Sequence, residues 1–334
     1  MKVGLMFSHR NPEPWRVPWH QLYAETMEQV VFTERLGFDS VFTTEHHFVE
    51  DGYSPSLMAI EAAWAARTRR VRIGSFVLLL SMQHPLRLAE DAATVDIISN
   101  GRLILGMGLG YRKEEFAGFG IAKEQSGRIM DEALEVLVRA WTEDGFSFQG
   151  RHFSLRDVSL MPKPVQRPRP PIWVGRASEA GVRRVARFGL EGFCDAPSAA
   201  MYQRYLARCR EFGTPPKAEA QILVFGHVHR DKEQAWAEAE PHAAYVQRKY
   251  REWLGAHGDN RGFRNDLERD FIIGDPAHWR GRLAQVIERR SGGLRPSHVV
   301  VQLQLAGMPH DQVMRSMELF AKEVLPHFQT GQAP

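Results

Sequence analysis

The stretch VRIGSFVLLLSMQHPLRLAEDAATVDIISNGRLILGMG, residues 71–108, decides the fold. It opens on a continuous apolar run, VRIGSFVLL (71–79), without polar alternation. Strands that read this way are covered on both faces, as in parallel sheets. Pro85 then starts a helix carrying Leu86, Ala89, Ala93 and Ile97, and RLILGMG (102–108) is a second apolar strand. Strand, helix, strand at this spacing is a crossover unit, because parallel neighbours need a long return.

The unit recurs on both sides. KVGLMFS (2–8) is a strand, followed by a helix with Tyr23, Met27, Val30 and Val31 on one face that stops at Gly37. SVFTTE (40–45) is the next strand, and residues 56–67 form an Ala-rich helix. A long helix from about Ser126 to Trp141 follows the quoted stretch. The rhythm breaks between Asp144 and Pro171, where MPKPVQRPRPP suits an extended excursion. It resumes with IWVG (172–175), a helix from Ser178 to Phe188, GFCDA (192–196), a helix near 198–212 and QILVFGHVH (221–229). Residues 232–270 are polar, charged and helical, far longer than a simple connection. A helix from about His278 to Arg290 follows FIIGDP, then HVVVQLQ (298–304) and a helix with Val313, Met317, Phe320 and Val324 complete the pattern. Eight strand–helix units predict an α/β fold, a (β/α)8 TIM barrel forming one domain over 1–334 with insertions near 143–170 and 230–270. A doubly wound open sheet is the structural competitor.

Composition narrows the function classes. Hydrophobic residues at 43% and charged residues at 25% are ordinary globular values. The net charge of +3 is spread along the chain, so no basic stripe for nucleic acid is expected. The start, MKVGLMFSHR, lacks a signal-peptide pattern, and apolar runs such as FVLLL fall far short of the ~20 residues a membrane helix needs. Cys194 and Cys209 lack a disulfide-framework spacing, so reduced thiols and a cytoplasmic location are expected.

In a barrel, chemistry sits at the C-terminal strand ends. Five places qualify: Ser8 to Arg10, Thr44 to Phe48, Leu79 to His84, Met107 to Arg112 and Arg176 to Ser178. If the second strand continues through TTEHHF (43–48), Thr44 and His46 share one face while Glu45 and His47 share the other. Adjacent ligands on opposite faces do not easily close on one metal. The remaining readings are a structural histidine bonded to a loop carbonyl and a proton-transfer histidine, whose ordinary pKa lies near neutrality. In LGMGLGYRKEEF (105–116) the third glycine falls one position early for a dinucleotide fingerprint, and Tyr111 to Phe116 do not open a clean helix. The glycines then mean either close backbone approach to something flat or tight packing at the strand end. In WVGRASEAG (173–181), Ser178 is a helix cap or part of an anion seat completed by free N–H groups and Arg176; the barrel context favours the seat.

Together, LGFDSVFTTEHHF (36–48), HPLRLAEDAATVDIISNGRLILGMGLGYRKEEFAGFG (84–120), PIWVGRASEAGVRRVARFG (171–189) and FIIGDP (271–276) resemble the bacterial luciferase-like, flavin-dependent monooxygenase family. MRSMELFAKEVLP (314–326) resembles its closing helix. The resemblance implies reduced FMN at the barrel mouth, its phosphate at Ala177, Ser178 and Gly181, with Gly108, Leu109 and Tyr111 nearby. It implies that His46 is the catalytic histidine, and a non-proline cis peptide near Phe76 and Val77. Where luciferase proper has an arginine for the phosphate, this chain has Leu109, so Arg176 or Arg112 is expected to substitute. Tyr111, Phe7 and Phe48 are candidate pocket walls, and 232–270 a candidate lid. The implied reaction uses FMNH2 from a separate NAD(P)H:flavin reductase, O2 and a peroxyflavin to oxygenate a small organic substrate. The implied homodimer would form through helices two and three, at Ala59, Ala62, Ala63, Ala66, Ala89, Ala92 and Ala93. A deazaflavin-dependent hydride-transfer oxidoreductase of the same superfamily is the alternative. A non-catalytic flavin-binding protein and a metal-dependent barrel hydrolase are the others.

Overall fold

A computed structural model describes residues 1–255, 263–290 and 294–329. In chain order the strands are β1 (Lys2–Phe7), β2 (Ser40–Thr43), β3 (Arg72–Leu79), β4 (Leu103–Gly108), β5 (Phe146–Gln149), β6 (Ser154–Val158), β7 (Ile172–Val174), β8 (Gly192–Phe193), β9 (Glu219–Val228), β10 (Phe271–Gly274) and β11 (Pro296–Gln302). The helices are α1 (Trp19–Arg35), α2 (Leu57–Arg67), α3 (Pro85–Ser99), α4 (Lys113–Gly118), α5 (Ser126–Thr142), α6 (Glu179–Arg187), α7 (Ala199–Phe212), α8 (Lys232–Trp253), α9 (Phe263–Asp270), α10 (Pro276–Arg289) and α11 (His310–Glu323).

Eight parallel strands pair in the order β11, β1, β2, β3, β4, β7, β8, β9, and β9 returns to β11. The ring is closed, so the barrel expectation holds and the open sheet does not. FIIG, expected only as a lead-in to a helix, is itself a strand: β10 pairs with Phe225–Val228 of β9, beyond the two-residue β8. The ring's own strands are the eight read from the sequence. Alternation along them divides the core. Met6, Phe42, Phe76, Ile104, Trp173 and Val300 form one cluster inside the barrel, while neighbours such as Leu5, Val41, Ile73 and Leu105 pack outward under the helices. Filling the lumen with side chains confines the site to the mouth.

Local boundaries differ instructively. On α1 the buried side chains are Thr26, Gln29, Val30 and Thr33, while Tyr23 is exposed. The buried polar groups are satisfied: Gln304 donates to Thr26 Oγ1 and Gln29 Oε1. The first insertion contains the antiparallel hairpin β5–β6. The second forms α8 and α9, and its residues 256–262 lie outside the described set. On α3, Ala89, Ala92 and Ala93 are fully buried within the subunit and give a partner nothing to touch; on α2, Ala59, Ala63 and Ala66 remain exposed. Among the described residues no helix is long and apolar enough to cross a membrane.

Candidate active site

The ends of β2, β3, β4 and β7 and the start of α6 surround a cavity of about 450 Å³. Its walls hold His46, Phe76, Val77, Gly108, Leu109, Tyr111, Arg176, Ser178 and Gly181. Ala177 does not line it; its side chain is half-buried against the core under the helices. The peptide between Phe76 and Val77 is cis, where the resemblance placed it.

His46 is 5% exposed and held from every side. β2 ends at Thr43, so the stretch is not an extended strand and the alternation does not apply: Thr44, Glu45 and His46 all line the cavity, and His47 does not. His46 Nδ1 lies 2.7 Å from Glu115 Oε1, and the His47 N–H donates to the same oxygen at 3.0 Å. Burial opposes charge on Glu115, but the bonds from His46 and His47 and the Arg112 guanidinium outweigh it and hold the pKa below the usual carboxylate range. An ionised carboxylate only accepts, so Nδ1 carries a proton toward Glu115 and Nε2 is the nitrogen left facing the cavity. Nε2 lies 3.3 Å from the Tyr111 hydroxyl, which burial, with Tyr250 and Glu115 nearby, keeps protonated. Tyr53 and Tyr111 pack edge-on against the imidazole, and Trp253 of α8 covers it at 4.9 Å between ring centres. His47 turns the other way, its Nε2 2.7 Å from Glu45 Oε1. Glu45 Oε2 accepts the Leu79 N–H at 2.7 Å. Glu45 and His47 therefore brace the loop.

Other candidates are drawn elsewhere. His9 is buried against Trp64 and Tyr23 with Nδ1 2.9 Å from Ser54 Oγ, and burial lowers its pKa to about 3. It is a neutral structural histidine. Phe7 is in the outer core and meets Trp64 edge-on. Phe48 is 62% exposed and packs on Phe119, outside the cavity. Arg112 is buried, donating to the His47 carbonyl at 2.7 Å and to Glu115 at 3.3 Å. It is committed to the histidine loop. Among the described residues no three His, Cys, Asp or Glu side chains are grouped to hold a metal.

The opposite wall is built differently. Ser178 caps α6, its Oγ accepting the Gly181 N–H at 3.2 Å. A Cβ on Gly181 would lie 2.0 Å from the Arg176 carbonyl oxygen, so glycine is required there. A Cβ on Gly106 would lie 2.3 Å from the Ser75 carbonyl oxygen, which favours the packing meaning of that strand's glycines. Arg176 is exposed, and among the described residues its guanidinium has no ion pair or side-chain hydrogen bond. Sequence reasoning missed three residues. Glu115 lies in α4, a helix the sequence reading had denied. Arg184, one turn beyond Gly181, lines the cavity while bonded to Asp131 at 2.7 Å. Tyr250 reaches the cavity from α8. Spacing along α6 could have found Arg184; nothing local pairs His46 with a residue 69 positions on.

A closed parallel barrel with its polar groups gathered at one C-terminal mouth defines the class: a (β/α)8 barrel of the kind that carries active sites there. The chain belongs to the luciferase-like monooxygenase family, whose profile matches residues 1–322. The structure of monooxygenase RslO1 from Streptomyces bottropensis superposes with a TM-score of 0.85 at 29% identity, covering 98% of this chain and 100% of that one. The oxygenase component of a flavin-dependent trigonelline monooxygenase from Acinetobacter baylyi is 24% identical, over 92% of this chain and 90% of that protein. An F420-dependent glucose-6-phosphate dehydrogenase from Amycolatopsis mediterranei is 32% identical, but over only 51% of this chain and 52% of its own length. The family's relatives thus include both flavin monooxygenases and F420-dependent oxidoreductases.

Proposed function

We propose that this protein is the oxygenase of a two-component, FMN-dependent monooxygenase that oxygenates a small organic substrate. The observation that carries the reading is one cavity with two unlike ends: a carboxylate-oriented His46 on one side and, at a helix N-terminus on the other, Arg176, whose guanidinium has no partner among the described residues. The residues fit a phosphate-bearing flavin. Arg176, the Ser178 hydroxyl and the free N–H groups at the start of α6 would hold the phosphate. Val77, Gly108 and Leu109 would line one wall, and about 450 Å³ lies in the range of small-molecule sites. Bound reduced FMN supplies the electrons with which O2 gives one atom to the substrate and one to water. Around it, His46 Nε2 takes or returns a proton, Tyr111 orients that nitrogen, and Tyr250 and Trp253 keep bulk water from the mouth. FMNH2 comes from a separate NAD(P)H:flavin reductase in this reading, and a homodimer contact falls on the exposed alanines of α2.

A deazaflavin-dependent hydride transfer is the second reading, favoured by the 32% match to the F420-dependent relative over half the chain. Turnover separates them. With a flavin reductase, NADH, FMN and candidate organic substrates, the first reading expects O2 uptake matched by oxygenated product. Substrate oxidation with a deazaflavin and no O2 uptake would overturn it.

A further inference from the structure

The His46–Glu115 pair is tied to two cavities, to one by His46 itself and to the other through Arg112, which donates to Glu115 at 3.3 Å. One is the cavity already described, onto which Nε2 opens. The other, about 170 Å³, sits between residues 48–51 and the end of α8, with Val49, Asp51, Arg112, Lys249 and Trp253 on its walls. Two of those wall residues are almost fully buried: Asp51 at 2% exposure and Arg112 at 6%. Each carries a polar atom with no partner among the described residues, Asp51 Oδ1 and Arg112 Nε. Glu115 Oε2 and both Nη atoms of Arg10 beside them are also unpartnered. Buried polar atoms are seldom left unpaired, and a free acceptor and donor on one cavity suit water, which serves both. The volume holds about five waters at ~30 Å³ each. The cations are already matched, Arg10 to Asp51 at 2.6 Å, Arg112 to Glu115 at 3.3 Å and Lys249 to Glu252 at 3.2 Å, so an anion meets no excess charge.

We infer that this second cavity is a proton inlet for His46, separate from the flavin-side opening; the inference rests on the proton-transfer role proposed for His46. The line runs from cavity water past Arg112 to Glu115, and from Glu115 Oε1 to His46 Nδ1 at 2.7 Å. Arg112 stays charged and does not carry the proton; it holds and orients the carboxylate that does. When Nε2 takes a proton from the flavin side, Nδ1 gives one to Glu115 and Glu115 gives it to the water. Run backward, the same line supplies one. No electron moves and no charge accumulates. The arrangement exchanges protons with solvent without opening the reaction cavity to water, which a site that activates O2 must exclude.

Solvent exchange of the His46 Nδ1 proton, followed by NMR on full-length protein labelled with 15N-histidine, tests this with and without bound FMN. In the wild type, exchange persists when FMN fills the first cavity. Val49→Phe narrows the second cavity and slows exchange about tenfold or more, with thermal stability and FMN affinity unchanged. Exchange in Val49→Phe equal to wild type, or abolished in the wild type by FMN alone, would overturn the inlet. Val49→Leu gives the same comparison with a smaller filling if the phenylalanine prevents folding. Failure of FMN to bind would sink the FMN reading while leaving the comparison in free protein to decide the inlet.

Discussion

The two walls of the cavity mouth obey opposite rules. On the His46 side the hydrogen-bonding groups of the histidine are met by protein: Glu115 at Nδ1, Tyr111 at Nε2, the Tyr53 carbonyl at the backbone N–H, and Trp253 over the ring. On the α6 side Arg176 is exposed and its guanidinium has no partner among the described residues, while Ser178 and Gly181 close on each other. The first wall is oriented in advance; the second leaves donors open among the described residues. Substitutions on the first wall should therefore damage chemistry and stability, and those on the second should damage binding alone.

The largest expected effect is His46→Ala, which removes the proton-transfer atom. Oxygenated product should fall about 10²–10⁴-fold while O2 uptake persists as hydrogen peroxide; full coupling in this variant would assign His46 to structure. Glu115→Gln comes next. It keeps the shape but removes the charge that places the proton on Nδ1, and product formation should fall about 10–100-fold with a shifted pH profile. Glu115→Ala should also destabilise the fold by about 3–5 kcal/mol in a denaturant titration, because Arg112 is left buried without its carboxylate. An unchanged midpoint would break the comparison on this side.

Arg176→Ala should weaken FMN binding about tenfold, ~1.4 kcal/mol, and leave the melting temperature of the free protein unchanged. A stability loss would mean that the α6 wall is also self-satisfied. The smallest effect lies behind the first wall, at Glu61 of α2. Its carboxyl is fully buried and both oxygens lack partners among the described residues. Burial, with the Glu45 charge nearby, holds its pKa well above the ordinary 4.5. The folded state keeps that proton and the unfolded state releases it, so the penalty is absent below pH 4.5 and grows as pH rises. Glu61→Gln should raise the melting temperature more at pH 8 than at pH 5, by ~1–2 °C per kcal/mol relieved. An equal change at both values would show that the carboxyl ionises in place.

The barrel was legible because doubly buried strands such as RLILGMG and VRIGSFVLL leave no other reading, and Gly37 and Ser178 mark helix ends by local chemistry. The placement of the α6 wall was legible for the same reason: it is a short strand, a cap and a glycine within ten residues. The histidine wall was legible only in part. His46 announces itself, but Glu115 reaches it across 69 residues, and Tyr250 and Trp253 arrive from an insertion. Arg112 and Phe48 were misread because tertiary contacts, not residue type, decide whether a charge or a ring faces a cavity.

The central claim is that the α6 wall accepts the phosphate of FMN. Titration of the purified protein with FMN, FMNH2 and a deazaflavin, for wild type and Arg176→Ala, tests it most directly. FMNH2 should bind tightly to the wild type and about tenfold more weakly to the variant. Tight binding of the deazaflavin alone, or equal FMNH2 affinity in both proteins, would contradict it.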